Sequence, residues 1–154
     1  MPHFQLEKLE ECRAEIEPIL RNEHWEEVGH YDDIPIDMQW DTYRQLQAEG
    51  KLRCYTIRGF LNEEFGETVL MGYAFYLVGK HLHYRHTLVA SQDILYVRPP
   101  YRGIGKSFIK WCDDQLKNDG VVTVTQHVKP WFDWGHMAEK LGYEKAETIY
   151  SRRL

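Results

Sequence analysis

The residues best suited to bind an anion form one short run, Arg98-Pro99-Pro100-Tyr101-Arg102-Gly103-Ile104-Gly105-Lys106-Ser107. It follows an apolar segment of strand character and precedes residues whose apolar members recur at helical spacing. Gly103 and Gly105 lack the Cβ that would keep a ligand from the backbone. A helix that begins here offers free N–H groups and a positive dipole end, and Arg102 and Lys106 add charge. The run predicts a phosphate or pyrophosphate site; a glycine-rich turn that binds nothing is the alternative.

Two kinds of phosphate loop match parts of this run. The first is the P-loop, GxxxxGK[ST], whose end is matched by Gly105-Lys106-Ser107. Its first glycine falls on Pro100, little chain follows Ser107, and the next predicted strand has no Asp at its end for a metal ion. A P-loop-like nucleotide binder is therefore the weaker interpretation.

The second is the acetyl-coenzyme A loop of the GNAT N-acetyltransferases, [QR]-x-x-G-x-[GA]. The run Arg102–Ser107 resembles it in register, with Ser107 in place of the last small residue. Glu139-Lys140-Leu141-Gly142-Tyr143-Glu144 resembles the family's closing segment of a short helix, a glycine and an aromatic residue. The resemblance covers residues 68–154 and is architectural over 1–67. With its Tyr-Ser-Arg-Arg-Leu ending, the chain is similar to the small GNAT proteins of bacteriophages and prophages.

The resemblance implies how acetyl-CoA, the acetyl donor, would be held. The backbone of Leu95, Tyr96 and Val97, in the family's fourth strand, would pair with the pantetheine arm. The loop amides would hold the pyrophosphate; they belong to Arg102, Gly103, Ile104, Gly105, Lys106 and Ser107. The next strand would splay away and open a slot for the thioester. An acceptor amine would enter from the opposite side and attack the acetyl carbonyl directly in a ternary complex.

A primary amine has a pKa of about 10.4 and must lose a proton before it attacks. Asp93 is the candidate base, because several GNAT members carry a carboxylate at this point of the strand and a charge within an apolar strand needs an explanation. It could instead pair with Arg85 or Arg98, or simply start the strand. The family's usual thiolate-protonating Tyr is replaced by Ala138, so a GNAT-fold binding module without catalysis is the alternative function.

Three further residues follow the second predicted strand. His81 and His83 are two positions apart and share a face if this stretch is extended. His83 and Tyr84 join Asp93 as candidate catalytic residues, while His81, Trp40 and Tyr43 are candidates for the acceptor side. The histidine spacing is too loose to predict a metal site.

The elements expected to position these residues form one α/β domain over residues 1–154, with a mixed central sheet splayed between the family's fourth and fifth strands and flanked by helices. Helices are predicted over roughly 5–22, 37–50, 104–118 and 132–141, with Asp37 capping the second. Strands are predicted over 52–61, 69–78, 88–97, 121–128 and 143–153, which gives the order ααβββαβαβ.

Composition excludes several classes of protein. The 154 residues carry a formal net charge of −5, which does not favour nucleic-acid binding. The first 50 residues hold 13 acidic against 4 basic residues, so they could form an acidic rim that attracts a cationic amine or only a solvated helix face.

Three cysteines without paired spacing, a polar N-terminus and no long apolar stretch predict a cytoplasmic protein that does not bind membranes. The acceptor would be a small amine or a protein lysine or N-terminal amine, and the family leaves a homodimer open.

Overall fold

A computed structural model of the chain describes residues 1–31, 33–62 and 64–154. Its centre is a five-stranded sheet in the order β1-β2-β3-β4-β5. The strands are β1 His3–Glu7, β2 Leu52–Asn62, β3 Glu67–Lys80, β4 Leu88–Val97 and β5 Thr123–Thr125. Neighbours among β1 to β4 are antiparallel, whereas β5 lies parallel to β4. The expected mixed sheet is therefore confirmed.

Helices cover both faces of this sheet. They are α1 Leu9–Ile19, α2 Trp25–Val28, α3 Trp40–Ala48, α4 Gly105–Asn118 and α5 Gly135–Lys140, and a π-helical turn, Leu20–His24, joins α1 to α2. One apolar cluster packs α1 and α3 against β2, β3 and β4. A second cluster packs α4 against the opposite face through Phe108, Cys112 and Leu116. No helix within the described ranges is long and apolar enough to cross a membrane.

Several predicted elements differ from the structure at the two ends of the chain. Residues 3–7 form a strand rather than the start of a helix, and the helical stretch runs past Pro18 to Val28. Gln39, not Asp37, precedes α3 as its N-cap. The predicted strand over 121–128 shrinks to Thr123–Thr125, the helix over 132–141 to Gly135–Lys140, and residues 143–154 contain no strand.

The order ααβββαβαβ is therefore wrong, because β1 is missing from it and its last strand does not form. The physical reason at the start of the chain is that two spacings overlap there: Leu6 and Leu9 are three apart, as on a helix, whereas Phe4 and Leu6 are two apart, as on a strand. Tertiary pairing with β2 decides the outcome, since Leu6 lies opposite Tyr55 in the sheet. The predicted strands over 52–61, 69–78 and 88–97 agree with β2, β3 and β4.

A buried ion pair fastens β1 and α1 to the sheet. The Arg58 side chain on β2 is 7% exposed; its Nη2 lies 2.9 Å from Glu7 on β1 and 2.8 Å from Glu15 on α1. Burial alone would raise the pKa of Glu7, but hydrogen bonds from Arg58 and Thr56 outweigh it and hold that pKa below its ordinary value. The pair thus links three elements that are far apart in sequence.

Removing the cation should destabilise the fold. We expect Arg58→Met to lower the free energy of unfolding by about 3 kcal/mol, because it leaves the Glu7 carboxylate buried without its partner. Urea denaturation measures the loss. Arg44→Met is the matched control, since Arg44 pairs with Asp41 at the surface, and its change should stay within about 0.5 kcal/mol. Equal losses in the two variants would contradict the role of Arg58.

Candidate active site

A β-bulge turns Asp93 toward the first helices. Phe75 of β3 pairs with Ile94 and the next residue, Tyr76, pairs with Gln92, so Asp93 is an extra residue in β4. Such a bulge re-aims the side chains that follow it. Asp93 is exposed, and its Oδ2 accepts a 2.5 Å hydrogen bond from the Tyr43 hydroxyl on α3. Burial and this contact raise the pKa of Tyr43 far above its ordinary value, so it stays a hydrogen-bond donor.

Strands β4 and β5 part directly after three residue pairs, the last being Ser91 with Thr125. Side chains bridge the start of the gap: Gln92 Oε1 accepts from the His127 N–H at 2.7 Å, and Ser91 Oγ lies 3.0 Å from His127 Nε2. Beyond them lies a cavity of about 340 Å³. Asp93, Ile94 and Leu95 line one wall of this slot, and the remaining lining residues are His24, Trp25, Val28, Leu77, Ser91, Gln92, His127, Lys129, Phe132 and Trp134.

The backbone of β4 faces this slot at alternate residues. The Arg98 N–H bonds to the Met71 carbonyl at 2.9 Å, so the ladder directs the polar groups of Val97 and Leu95 to the other edge. Among the described residues, no strand pairs with that edge beyond Ser91. A ligand that carries amide groups can therefore extend the sheet here.

The predicted phosphate loop lies at the far end of the same strand. A 3₁₀ turn, Pro99–Tyr101, precedes Gly103, whose φ of 116° favours glycine, and α4 starts at Gly105. The Phe108 N–H bonds to the Ile104 carbonyl at 3.0 Å. The amides of Gly105, Lys106 and Ser107 consequently have no acceptor inside α4, and free amides at a helix N-terminus are suited to bind an anion. Lys106 and Ser107 are exposed.

Sequence reasoning missed His24, which borders the slot from the opposite side. The π-helical turn places its ring 4.5 Å from the Tyr96 ring, in a stacked arrangement, with Nδ1 2.8 Å from the Tyr73 hydroxyl. Burial, together with the charge of Lys129, lowers the pKa of His24 to about 3. A π-helical turn is often a sign of a functional position, but the pattern of apolar residues does not distinguish it from an ordinary helix.

The other candidate residues do not gather around Asp93. His81, His83 and Tyr84 lie in the loop between β3 and β4, where their rings contact one another. This loop meets β4 at Leu88, five residues before Asp93, which corresponds to about 17 Å along a strand. The structure therefore does not place these three residues beside Asp93, because β4 starts at their loop and runs away from it.

Trp40 and Tyr43, both on α3, have different positions. Trp40 is buried, and its Nε1 donates to Glu17 Oε1 on α1 at 3.2 Å. It therefore belongs to the packing between helices, whereas Tyr43 reaches Asp93. Within the described parts of the chain, no three His, Cys, Asp or Glu side chains come together as a metal site.

The chain resembles solved acetyltransferase structures over its full length. A glucosamine-6-phosphate N-acetyltransferase from Arabidopsis thaliana is 14% identical with a TM-score of 0.69, covering 99% of this chain and 98% of that one. A ribosomal-protein-alanine N-acetyltransferase from Brucella melitensis is 16% identical with a TM-score of 0.70, covering 100% and 99%. A predicted acetyltransferase from Clostridium acetobutylicum, solved with acetyl-CoA, is 11% identical with a TM-score of 0.72, covering 99% and 96%.

These likenesses show that the chain has the GNAT acetyltransferase fold, and at such low identity they show the fold alone. No family model and no curated protein sequence matches the chain. The similarity to bacteriophage and prophage proteins receives no support from these structures. The antiparallel strands also speak against a P-loop protein, whose sheet is parallel.

The low pKa of His24 predicts a loss of stability in acid. The unfolded chain takes up a proton near pH 6.5, while the folded chain keeps His24 neutral down to about pH 3. We therefore expect protonation of His24 in the unfolded chain to lower the free energy of unfolding by about 2 kcal/mol when the pH falls from 7 to 5. Chemical denaturation of wild type and His24→Gln measures it, because the variant should lose this part of the pH dependence. His136→Gln, at an exposed histidine, should keep it; identical pH curves for wild type and His24→Gln would contradict the assignment.

Proposed function

We propose that the protein is an N-acetyltransferase that moves an acetyl group from acetyl-CoA to a primary amine by direct attack in a ternary complex. The observation that carries this proposal is the parting of β4 and β5 beside an anion site at the N-terminus of α4. One strand thus offers unpaired backbone to an amide-bearing arm and free helix amides to a pyrophosphate. The known structures with this fold include one solved with acetyl-CoA.

The residues present fit coenzyme A. Val97 and Leu95 would pair with its pantetheine arm, and the amides of the first turn of α4 would hold its pyrophosphate. A Cβ atom on Gly105 would lie 3.8 Å from Val97 and 3.9 Å from Met137, which is ordinary contact. A Cβ atom on Gly103 would meet nothing within 4 Å, so the space beside Gly103 is open to a ligand. The bound thioester supplies an activated acetyl group, and the chain orients it and excludes water.

Asp93 is the proposed base. Its carboxylate lines the slot, and the Tyr43 hydroxyl holds one of its oxygens in place, which leaves the other oxygen free to take a proton from the acceptor amine. The backbone N–H groups of β4 that face the slot can stabilise the oxyanion of the attacked carbonyl. His83 and Tyr84 are not part of this proposal, because their loop lies at the opposite end of β4.

No protein acid is proposed for the departing thiolate. Position 138 is a buried alanine, and the Tyr143 hydroxyl is engaged by Asp113 at 2.6 Å and by Gln126 at 3.1 Å. These contacts tie the closing segment to α4 and to the residue after β5. We infer that the thiolate leaves without a dedicated proton donor from α5.

The acceptor is proposed to be a small amine or a protein amine. Structures of this fold include enzymes named for each class, a glucosamine-6-phosphate and a ribosomal-protein-alanine N-acetyltransferase. The three cysteines are buried free thiols, which supports a reducing compartment such as the cytoplasm. A thiol-release assay over a panel of amines, peptides and proteins separates this proposal from a binding module, which would bind coenzyme A without releasing it from the thioester.

The phosphate loop can be tested without disturbing the fold. We expect Gly105→Glu to weaken coenzyme A binding at least about 100-fold, because it places a carboxylate where the pyrophosphate would lie. A glycine is itself unfavourable in a helix, so thermal stability should not fall. Isothermal titration calorimetry with coenzyme A measures the affinity. Lys110→Gln, on the exposed face of α4, changes the net charge by the same amount and should bind normally; unchanged affinity in Gly105→Glu would reject the loop.

The base can be tested by its effect on turnover. We expect Asp93→Asn to lower kcat by about 100-fold or more and to leave coenzyme A affinity within about two-fold. Tyr43→Phe removes only the hydrogen bond and should cost less. Asp41→Asn, an exposed residue on the same helix, is the control and should match wild type. A pH–rate profile of Asp93→Asn that coincides with wild type would remove Asp93 as the base.

A further inference from the structure

Arg102 lies between β4 and the residues that follow β5, next to the slot. Its Nε donates to the Val97 carbonyl at 3.3 Å, and its guanidinium lies 5.2 Å from the centre of the Phe132 ring. Val97 belongs to β4, whereas Phe132 follows β5 and belongs to the opposite wall of the slot. The side chain therefore bridges the two walls close to the point where a ligand would pass from the slot to the phosphate loop.

The Val97 carbonyl is one of the groups that the proposed donor would use. It points to the unpaired edge of β4, and an amide-bearing arm that extends the sheet must donate a hydrogen bond there. Arg102 already donates to it. The arm and Arg102 therefore compete for one acceptor, and Arg102 must move when the donor binds.

Glu27 on α2 holds Arg102 in this position. Its Oε2 pairs with Arg102 Nη2 at 2.5 Å, and its Oε1 accepts from the Tyr96 hydroxyl at 3.1 Å. The Arg102 side chain is 42% exposed, so solvent and ligands can reach it. It can exchange the carboxylate for the phosphates of a ligand, which would lie at the adjacent amides.

The neighbouring pair provides a contrast. Glu23 lies one turn before Glu27 and pairs with Arg98 through two hydrogen bonds, of 2.8 and 3.0 Å. Arg98 also donates to the Leu70 carbonyl of β3 at 3.2 Å. Among the described residues, its side chain donates no hydrogen bond to the Val97 carbonyl and makes no cation–π contact with Phe132. Arg98 is therefore anchored on the sheet, whereas Arg102 lies at the slot.

We propose that Glu27 is a positioning residue that sets the affinity for the acyl donor by holding Arg102 against the Val97 carbonyl. Donor binding then includes an exchange, in which Arg102 leaves Val97 and Glu27 and pairs with the diphosphate. This inference rests on the proposed function, since it takes coenzyme A as the ligand. Its consequence is that removing the Glu27 charge improves binding.

Calorimetry with coenzyme A tests the exchange. Glu27→Gln keeps an oxygen that can accept from Tyr96 but removes the charge that retains Arg102, and it should tighten binding about five-fold, the scale of a partly exposed ion pair. Glu23→Gln is the matched control, because it removes the same charge one turn earlier; its affinity should change less than about two-fold. A purely structural role of Glu27 would weaken binding instead.

A double-mutant cycle shows whether Arg102 carries the effect. In an Arg102→Ala background, Glu27→Gln should leave the affinity unchanged. The inference is overturned by unchanged or weaker binding in Glu27→Gln, by equal tightening in Glu23→Gln, or by tightening that persists without Arg102. Absence of coenzyme A binding in wild type would reject the proposed function itself. Thermal melts check that the variants fold. If Glu27→Gln unfolds, Glu27→Asp replaces it: the shorter side chain draws the carboxylate away from Arg102, and coenzyme A binding should again become tighter.

Discussion

The early parting of β4 and β5 is the constraint on which the rest of the site depends. Buried backbone groups need hydrogen-bond partners, and a strand that loses its neighbour must find them elsewhere. Here β5 pairs with β4 over three residues. Beyond them side chains form the hydrogen bonds: Gln92 Oε1 accepts from the His127 N–H, and Arg102 Nε donates to the Val97 carbonyl. The slot is thus a gap in the sheet across which side-chain contacts replace strand pairing.

The uneven charge of the chain has a structural use. The acidic first third supplies Glu23 and Glu27 to the arginines that flank the phosphate loop, Arg98 and Arg102. Glu7 and Glu15 similarly neutralise Arg58. Because these carboxylates already have cationic partners, they contribute less to a field that would attract an amine than the net charge suggests. The acidic first third of the chain and the arginines of the remaining two thirds are therefore partly complementary surfaces of one fold.

The sequence predicts the parts of the site that are local. The loop from Arg98 to Ser107 carries its glycines, cations and helix start within one run, and β4 was expected with its observed bounds. The bulge adds one residue without a change in composition, so no periodicity could show it. The contact of Tyr43 with Asp93 joins residues 50 positions apart. The predictions for β1 and for residues 143–153 are wrong for the same reason. Whether a short apolar pattern forms a strand depends on pairing with strands that are distant in the sequence.

The bulge separates two roles of position 93. Ala90 packs on the α4 face of the sheet, and so does Leu95, although five residues in a regular strand would put them on opposite faces. The extra residue reverses the alternation for the residues after it, so that Ile94 and Tyr96 face α1 and α3. The presence of a residue at 93 therefore fixes which groups line the slot, while its carboxylate is the proposed base. We expect a substitution there to remove the proposed base alone, whereas a deletion would also turn Leu95 and Val97 away from α4.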